Sequence, residues 1–91
     1  MIEAAIISTG DELTTGRTTD TNAGFIADRL FALGVDVVAI LTVGDRPERL
    51  RWAWTEALRL AHLVIATGGL GPTADDLVAG LYANLIVRVL T

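Results

Sequence analysis

Between Thr67 and Asp76 the chain reads TGGLGPTADD, with three glycines, a proline, two threonines and two adjacent acids in ten residues. Gly68, Gly69 and Gly71 have no Cβ to keep backbone N–H groups away from an anion, and Thr67 and Thr73 offer hydroxyls to the same group. A helix after such a loop would add the positive end of its dipole. The pattern is not a Walker A loop, because no Gly-Lys-Ser/Thr follows. Nor is it a dinucleotide fingerprint, because Pro72 and the acids stand where a third, helix-packing glycine would be. Asp75 and Asp76 would repel a bare phosphate; beside one they make sense when a divalent cation such as Mg²⁺ joins them. Alternatively they occupy the first turn of a helix, where negative charge stabilises by roughly 0.3–1 kcal/mol.

Two further loops carry acids. Thr9 to Thr21 holds Gly10, Asp11, Glu12, Gly16, Arg17 and Asp20. It has neither helical nor strand periodicity and is long for a plain connection, a property of functional loops. Either Asp20 and Glu12 face a strand edge, or the segment is a surface loop in which Asp20 or Thr21 caps a helix. Asp45 lies in VGDRPE, where Asp45 and Glu48 have the spacing of a capping box and Pro47 suits the first turn. Its structural role as an N-cap therefore competes with a catalytic one. His62 has no partner at metal-ligand spacing and is expected to be structural. Trp52 and Trp54 cannot share a helix face; neither is expected to stack on a base, for lack of basic neighbours.

These loops need elements that bring them together. AAIIS, residues 4–8, reads as a buried strand. Phe25, Ile26, Leu30 and Leu33 recur at helical spacing after a cap at Thr21 or Asn22, and Gly34 suits the position of positive φ behind that helix. VDVVAILTV, residues 35–43, is a long β-branched run that suits a sheet covered on both faces. Leu50, Ala53, Trp54, Ala57, Leu58 and Ala61 form one apolar stripe. LVIAT, residues 63–67, is a third strand that runs into the glycine loop. Alternation of strand and helix with short connections predicts an α/β fold with parallel strands and right-handed crossovers. All three loops then leave strands at the carboxyl edge, where ligands collect in such sheets. In the apolar tail, residues 77–91, Ile86, Val87 and Val89 favour a strand. So apolar a terminus calls for cover by further domain or another chain, which implies a homo-oligomer or a truncated domain.

The totals narrow the function classes. The 91 residues carry 52% hydrophobic and 20% charged residues, too apolar for a disordered segment. No apolar run approaches the roughly 18 residues that span a bilayer, and the early Glu3 with no basic start argues against a secretory signal, so no membrane is expected. A formal charge of −4 disfavours nucleic acid as a partner. With no cysteine there is no disulfide or thiolate chemistry, and a cytoplasmic location is expected.

Together, STGDELTTGRTTDTNAGFIADRLFALGVDV, VGDRPERL and LVIATGGLGPTADDL resemble the N-terminal domain of the competence/damage-inducible protein A (CinA) family, within the molybdopterin-binding superfamily of molybdenum-cofactor biosynthesis. The resemblance covers residues 2–77 with the spacing of all three loops kept; residues 78–91 diverge, and Val78 replaces the threonine that usually follows DDL. It implies a three-layer α/β/α domain with a mostly parallel sheet, cut to its first half within residues 1–91. Carried over by position, the motif residues are Gly10, Glu12, Gly16, Asp20, Thr21 and Asn22 in the first loop and Asp45 in the second. In the third they are Thr67, Gly68, Gly69, Gly71, Pro72, Thr73, Asp75 and Asp76. The resemblance implies a small nucleotide or pterin ligand held by its phosphate. It further implies metal-dependent hydrolysis of ADP-ribose to AMP and ribose 5-phosphate, with Asp76, Asp45 and Asp20 as catalytic acids and Mg²⁺ or Co²⁺ near Asp76 and Asp45. The alternatives are a molybdopterin-binding domain and an inactive truncated module.

Overall fold

The computed structural model describes residues 2–17, 19–68, 80–82 and 85–89. Strand β1 (Glu3–Thr9) leads through a one-turn helix, α1 (Asp11–Thr14), to α2 (Thr21–Ala32) and strand β2 (Asp36–Val43). Helix α3 (Pro47–Leu60) and strand β3 (Leu63–Gly68) follow, then β4 (Gly80–Tyr82) and β5 (Leu85–Val89). The sheet runs β2-β1-β3-β5-β4. Strands β2, β1 and β3 are mutually parallel, whereas β5 is antiparallel to β3 and β4 antiparallel to β5. The strand expected from Ile86, Val87 and Val89 is therefore present, and it covers the open edge of β3.

The order 2-1-3 sets the layers. The chain steps outward from β1 to β2, then back across β1 to β3. Right-handed crossovers in opposite directions place their helices on opposite faces. Helix α2 accordingly buries Ala23 and Leu30 against Ala4, Ile6 and Ile65. Helix α3 buries Leu50, Ala53, Trp54 and Ala57 against Ala5, Ile7, Val64 and Ala66. Alternate residues of β1 thus serve opposite cores, and the strand is buried from Ala4 onward because both edges and both faces are covered.

Four local expectations change. Strand β2 is an edge strand, not one covered on both sides; Val38 and Ile40 are 40% and 48% exposed. Val38 is also the extra residue of a bulge, since Ala4 pairs with Val37 and Ala5 with Ala39. On α2 the buried face is Ala23, Ile26, Ala27 and Leu30, while Phe25 and Leu33 point outward. The Arg29 guanidinium lies over the Phe25 ring, 5.1 Å from its centroid. The loop after β1 contains the short α1, which its composition did not suggest. Finally, α3 is capped by Arg46 without a side-chain bond, so Asp45 is not its N-cap; Pro47 does take the first turn.

Helix α2 ends as its sequence indicates. Gly34 adopts φ 81°, its N–H donates to Phe31 O at 3.0 Å, and Val35 N–H donates to Leu30 O at 2.9 Å. These two bonds form a Schellman motif, with Leu30 and Val35 in the same core. Among the described residues no helix is long and apolar enough to cross a membrane.

Candidate functional site

The strand order reverses between β1 and β3, and a crevice opens at the carboxyl ends of strands flanking such a point. Ile6 pairs with Ile65 and both enter the α2 core, so two residues further on the paired Ser8 and Thr67 emerge on that same face. Beyond them Thr9 pairs with Gly68. The N-terminus of α2 and the α1 turn close the sides. The resulting cleft, about 120 Å³, is lined by Ser8, Thr9, Glu12, Leu13, Thr19, Asp20, Thr21, Asn22, Thr67 and Gly68.

Its polar atoms are unusually short of partners. Asp20 caps α2: Oδ1 accepts from Ala23 N–H at 3.1 Å. Among the described residues its other oxygen, Oδ2, is buried with no partner, as are Ser8 Oγ and Thr9 Oγ1. Ser8 and Thr9 are only 1% and 3% exposed. Buried oxygens in native proteins nearly always find a hydrogen bond, and three orphans around one cleft call for a polar occupant. The hydroxyls can donate, and the first turn of α2 contributes a positive pole; both suit an anion. Glu12 and Asp20 oppose an anion unless a cation lies between. The oxygen donors of Glu12, Asp20, Ser8 and Thr9 are hard ligands of the kind Mg²⁺ accepts. Among the described residues no group of three or more acidic or histidine side chains forms a ready-made metal site. The donor set fits a cation only together with an anionic ligand that completes it.

Gly68 fixes the rim. Its φ is 115°, and a Cβ there would run into the backbone carbonyl of Thr9 and approach Thr9 Oγ1 to 2.7 Å. Only glycine lets β3 leave so close to β1, and the glycine loop continues from this position.

The structure thus brings Glu12, Asp20, Thr21, Asn22, Thr67 and Gly68 to one cleft. Gly10 and Gly16 do not line it: Gly10 precedes α1 and donates to Val43 O at 3.0 Å, and Gly16 follows α1. Asp45 is placed elsewhere. Its N–H donates to Asp11 Oδ1 at 3.1 Å, and its Oδ2 accepts from Asp11 N–H at 3.4 Å. Gly69, Gly71, Pro72, Thr73, Asp75 and Asp76 lie outside the described residues. Sequence reasoning passed over Ser8, Thr9 and Thr19. A signal existed for the first two: apolar strands that end in hydroxyls, AAIIST and VIAT, put polar atoms at the sheet edge.

A family model described as "Probable molybdopterin binding domain" matches residues 5–91. A CinA-like protein of Chlorobium phaeobacteroides is 43% identical over 88 residues, covering 97% of this chain and 21% of that protein. A CinA-like protein of Citrifermentans bemidjiense is 51% identical over 83 residues, 91% of this chain and 20% of the relative. A putative competence-damage inducible protein of Clostridium novyi is 50% identical over 76 residues, 84% and 18% of the two chains. The chain thus spans about a fifth of the length of these curated relatives. Among solved structures, CinA from Thermoplasma acidophilum superposes with a TM-score of 0.73 at 41% identity, covering 82% of this chain and 44% of that one.

Proposed function

Because the chain belongs to the family of probable molybdopterin binding domains and is similar to CinA-like proteins over most of its length, we propose that the Asp20 cleft binds the phosphates of a small nucleotide and serves metal-dependent hydrolysis of ADP-ribose. The observation that carries this reading is the set of three buried oxygens, Ser8 Oγ, Thr9 Oγ1 and Asp20 Oδ2, that have no partner among the described residues around one cleft. The choice of ADP-ribose rests on the likeness of the GDEL, VGD and GGLGPTADD motifs to CinA-type domains.

In this reading the Ser8, Thr9 and Thr67 hydroxyls donate to phosphate oxygens, and the first turn of α2 faces the same charge. Glu12 and Asp20 would hold a divalent cation against the pyrophosphate, and Asp76 is the acid proposed to join them from the glycine loop. Such a cation, when bound, supplies charge neutralisation and lowers the pKa of a coordinated water. Asp20 is fixed by its bond to Ala23 N–H, which leaves Oδ2 to face the cation, and the proton of the attacking water passes to solvent. Water oxygen bonds to one phosphorus, the bridging P–O bond breaks, and AMP and ribose 5-phosphate leave. Molybdopterin is the second reading, since its phosphate suits the same hydroxyls.

The test is AMP release from ADP-ribose with Mg²⁺ or Co²⁺, using Asp20→Asn, which keeps an acceptor for the α2 cap, and Asp76→Ala. AMP formation lost in both variants supports the proposal. Tight molybdopterin binding without AMP under either metal replaces it with the second reading.

A further inference from the structure

Strand β2 forms one open edge of the sheet, and the direction of its backbone groups follows from a single bond. Val43 O accepts from Gly10 N–H at 3.0 Å, so the Val43 carbonyl points toward β1. Alternation along the strand then turns the groups of Leu41 and Ala39 toward β1 too. Those of Ile40 and Thr42, and of Val38 at the bulge, point away from the sheet. Such a row of unpaired N–H and C=O groups is a template for another strand unless charge, proline or a bulge guards it. Here the guards stop early: the bulge is at Val38 and the charge at Asp36, and residues 39–43 carry neither charge nor proline.

Exposed apolar surface gathers on the same edge. Right-handed crossovers turn the Phe31 flank of α2 and the Trp52 and Leu60 flank of α3 toward β2. In agreement, Thr42, Val43, Arg49 and Trp52 line one cleft. Among the described residues eight large apolar side chains are exposed, and five of them, Phe31, Val38, Ile40, Trp52 and Leu60, therefore border β2 from its two faces. Together they present about 600 Å², and the edge backbone brings the surface near the roughly 800 Å² per partner of a standard interface.

We propose that two copies of this chain pair along β2, antiparallel, about a two-fold axis at Ile40, joining their sheets into one. The register follows from the backbone, since outward groups must meet outward groups. Ile40 exchanges both bonds with Ile40 of the other copy, and Val38 with Thr42. Ala39 and Leu41 pack in the α3 core, so the Ile40 side chain stands on the α2 face and meets its own copy at the axis. Self-pairing is what the charges allow: the paired stretch holds no acid, so the two chains of formal charge −4 bring no like charges face to face at the axis. The axis also sets the two α3 helices antiparallel, with the Arg46 and Arg49 end of each toward the Glu56 half of the other. The Asp20 cleft, between β1 and β3, stays outside this contact.

The experiment is light scattering of the 91-residue chain at about 0.1 mM, with amide hydrogen exchange on the same sample. The expected mass is that of two copies. Ile40→Lys sets two ammonium groups at the axis and should give a single-copy mass with cooperative melting kept. Thr42→Pro removes an outward N–H that β1 does not use, and should also give single copies. Leu33→Lys, on the other flank of α2, should remain a dimer. The Thr42 amide should exchange about tenfold or more slowly in the parent chain than in Ile40→Lys. A single-copy mass for the parent chain overturns the proposal. So does a dimer that survives both Ile40→Lys and Thr42→Pro, or one that Leu33→Lys dissociates equally. If Ile40→Lys does not fold, Thr42→Pro decides. None of these outcomes alters the ADP-ribose assay, which depends on metal and on Asp20.

Discussion

Asp11 and Asp45, 34 residues apart, each bond the other's backbone: Asp45 N–H reaches Asp11 Oδ1 at 3.1 Å, and Asp11 N–H reaches Asp45 Oδ2 at 3.4 Å. The ring ties α1 to the loop before α3 and holds that wall of the Asp20 cleft. It also depends on Gly44, where a Cβ would stand 2.8 Å from Asp11 Oδ1. Each acid is exposed, so each bond is worth about 1 kcal/mol. Asp11→Ala and Asp45→Ala should each lower stability by about that amount in urea denaturation. The double variant should lose less than the sum, by about 0.5 kcal/mol or more, because the bonds share one ring.

Ser8→Ala should leave stability unchanged or raise it slightly. Among the described residues Ser8 Oγ is buried without a partner, and removing an unsatisfied hydroxyl relieves a desolvation cost of about 1–3 kcal/mol against the loss of little packing. The same variant should weaken phosphate-bearing ligands of the Asp20 cleft. Thermal melting with and without ligand checks both halves.

Asp20→Ala should cost about 1 kcal/mol by removing the α2 cap, whereas Asp20→Asn should cost a few tenths, since asparagine keeps the acceptor for Ala23 N–H. Urea midpoints of the two variants measure the difference. If Asp20 also serves the proposed chemistry, the asparagine variant separates fold from function.

Gly34→Ala and Gly68→Ala should differ in size. At Gly34 a Cβ meets nothing within 4 Å, so the penalty is that of φ 81° alone, about 1 kcal/mol. At Gly68 the positive φ adds to a clash with the Thr9 backbone, and about 3 kcal/mol or more is expected. Denaturant midpoints for both variants check the ranking.

Much of this molecule is legible in one dimension. The α3 stripe and the Schellman glycine at Gly34 follow from spacing and backbone preference within a few residues, whereas the cap of α2, expected at Thr21 or Asn22 or else at Asp20, falls on Asp20. The alternation of strands and helices implies the layers, and the layers imply the edge where ligands collect. Misplacements arose where a local pattern had a distant competitor. Asp45 and Glu48 have capping-box spacing, yet Asp11 captures Asp45 from across the fold. Val35 to Val43 is apolar enough for a central strand, but position in the sheet is set by crossovers, and β2 falls at the edge. Phe25 and Leu33 obey the helical period, although the smaller Ala23 and Ala27 are what fit against β1.

The sequence by itself determined the alternation of β1, α2, β2, α3 and β3, the C-terminal end of α2 and the three acid- and glycine-bearing loops, because these depend on neighbours a few bonds away. Only the tertiary structure decided that Ser8 and Asp20 share a cleft with Thr67, and that Phe31, Ile40 and Trp52 border one open edge of the sheet. Those outcomes depend on strand register and on which face each crossover takes. Both are properties of pairings between segments tens of residues apart, and no local pattern encodes them.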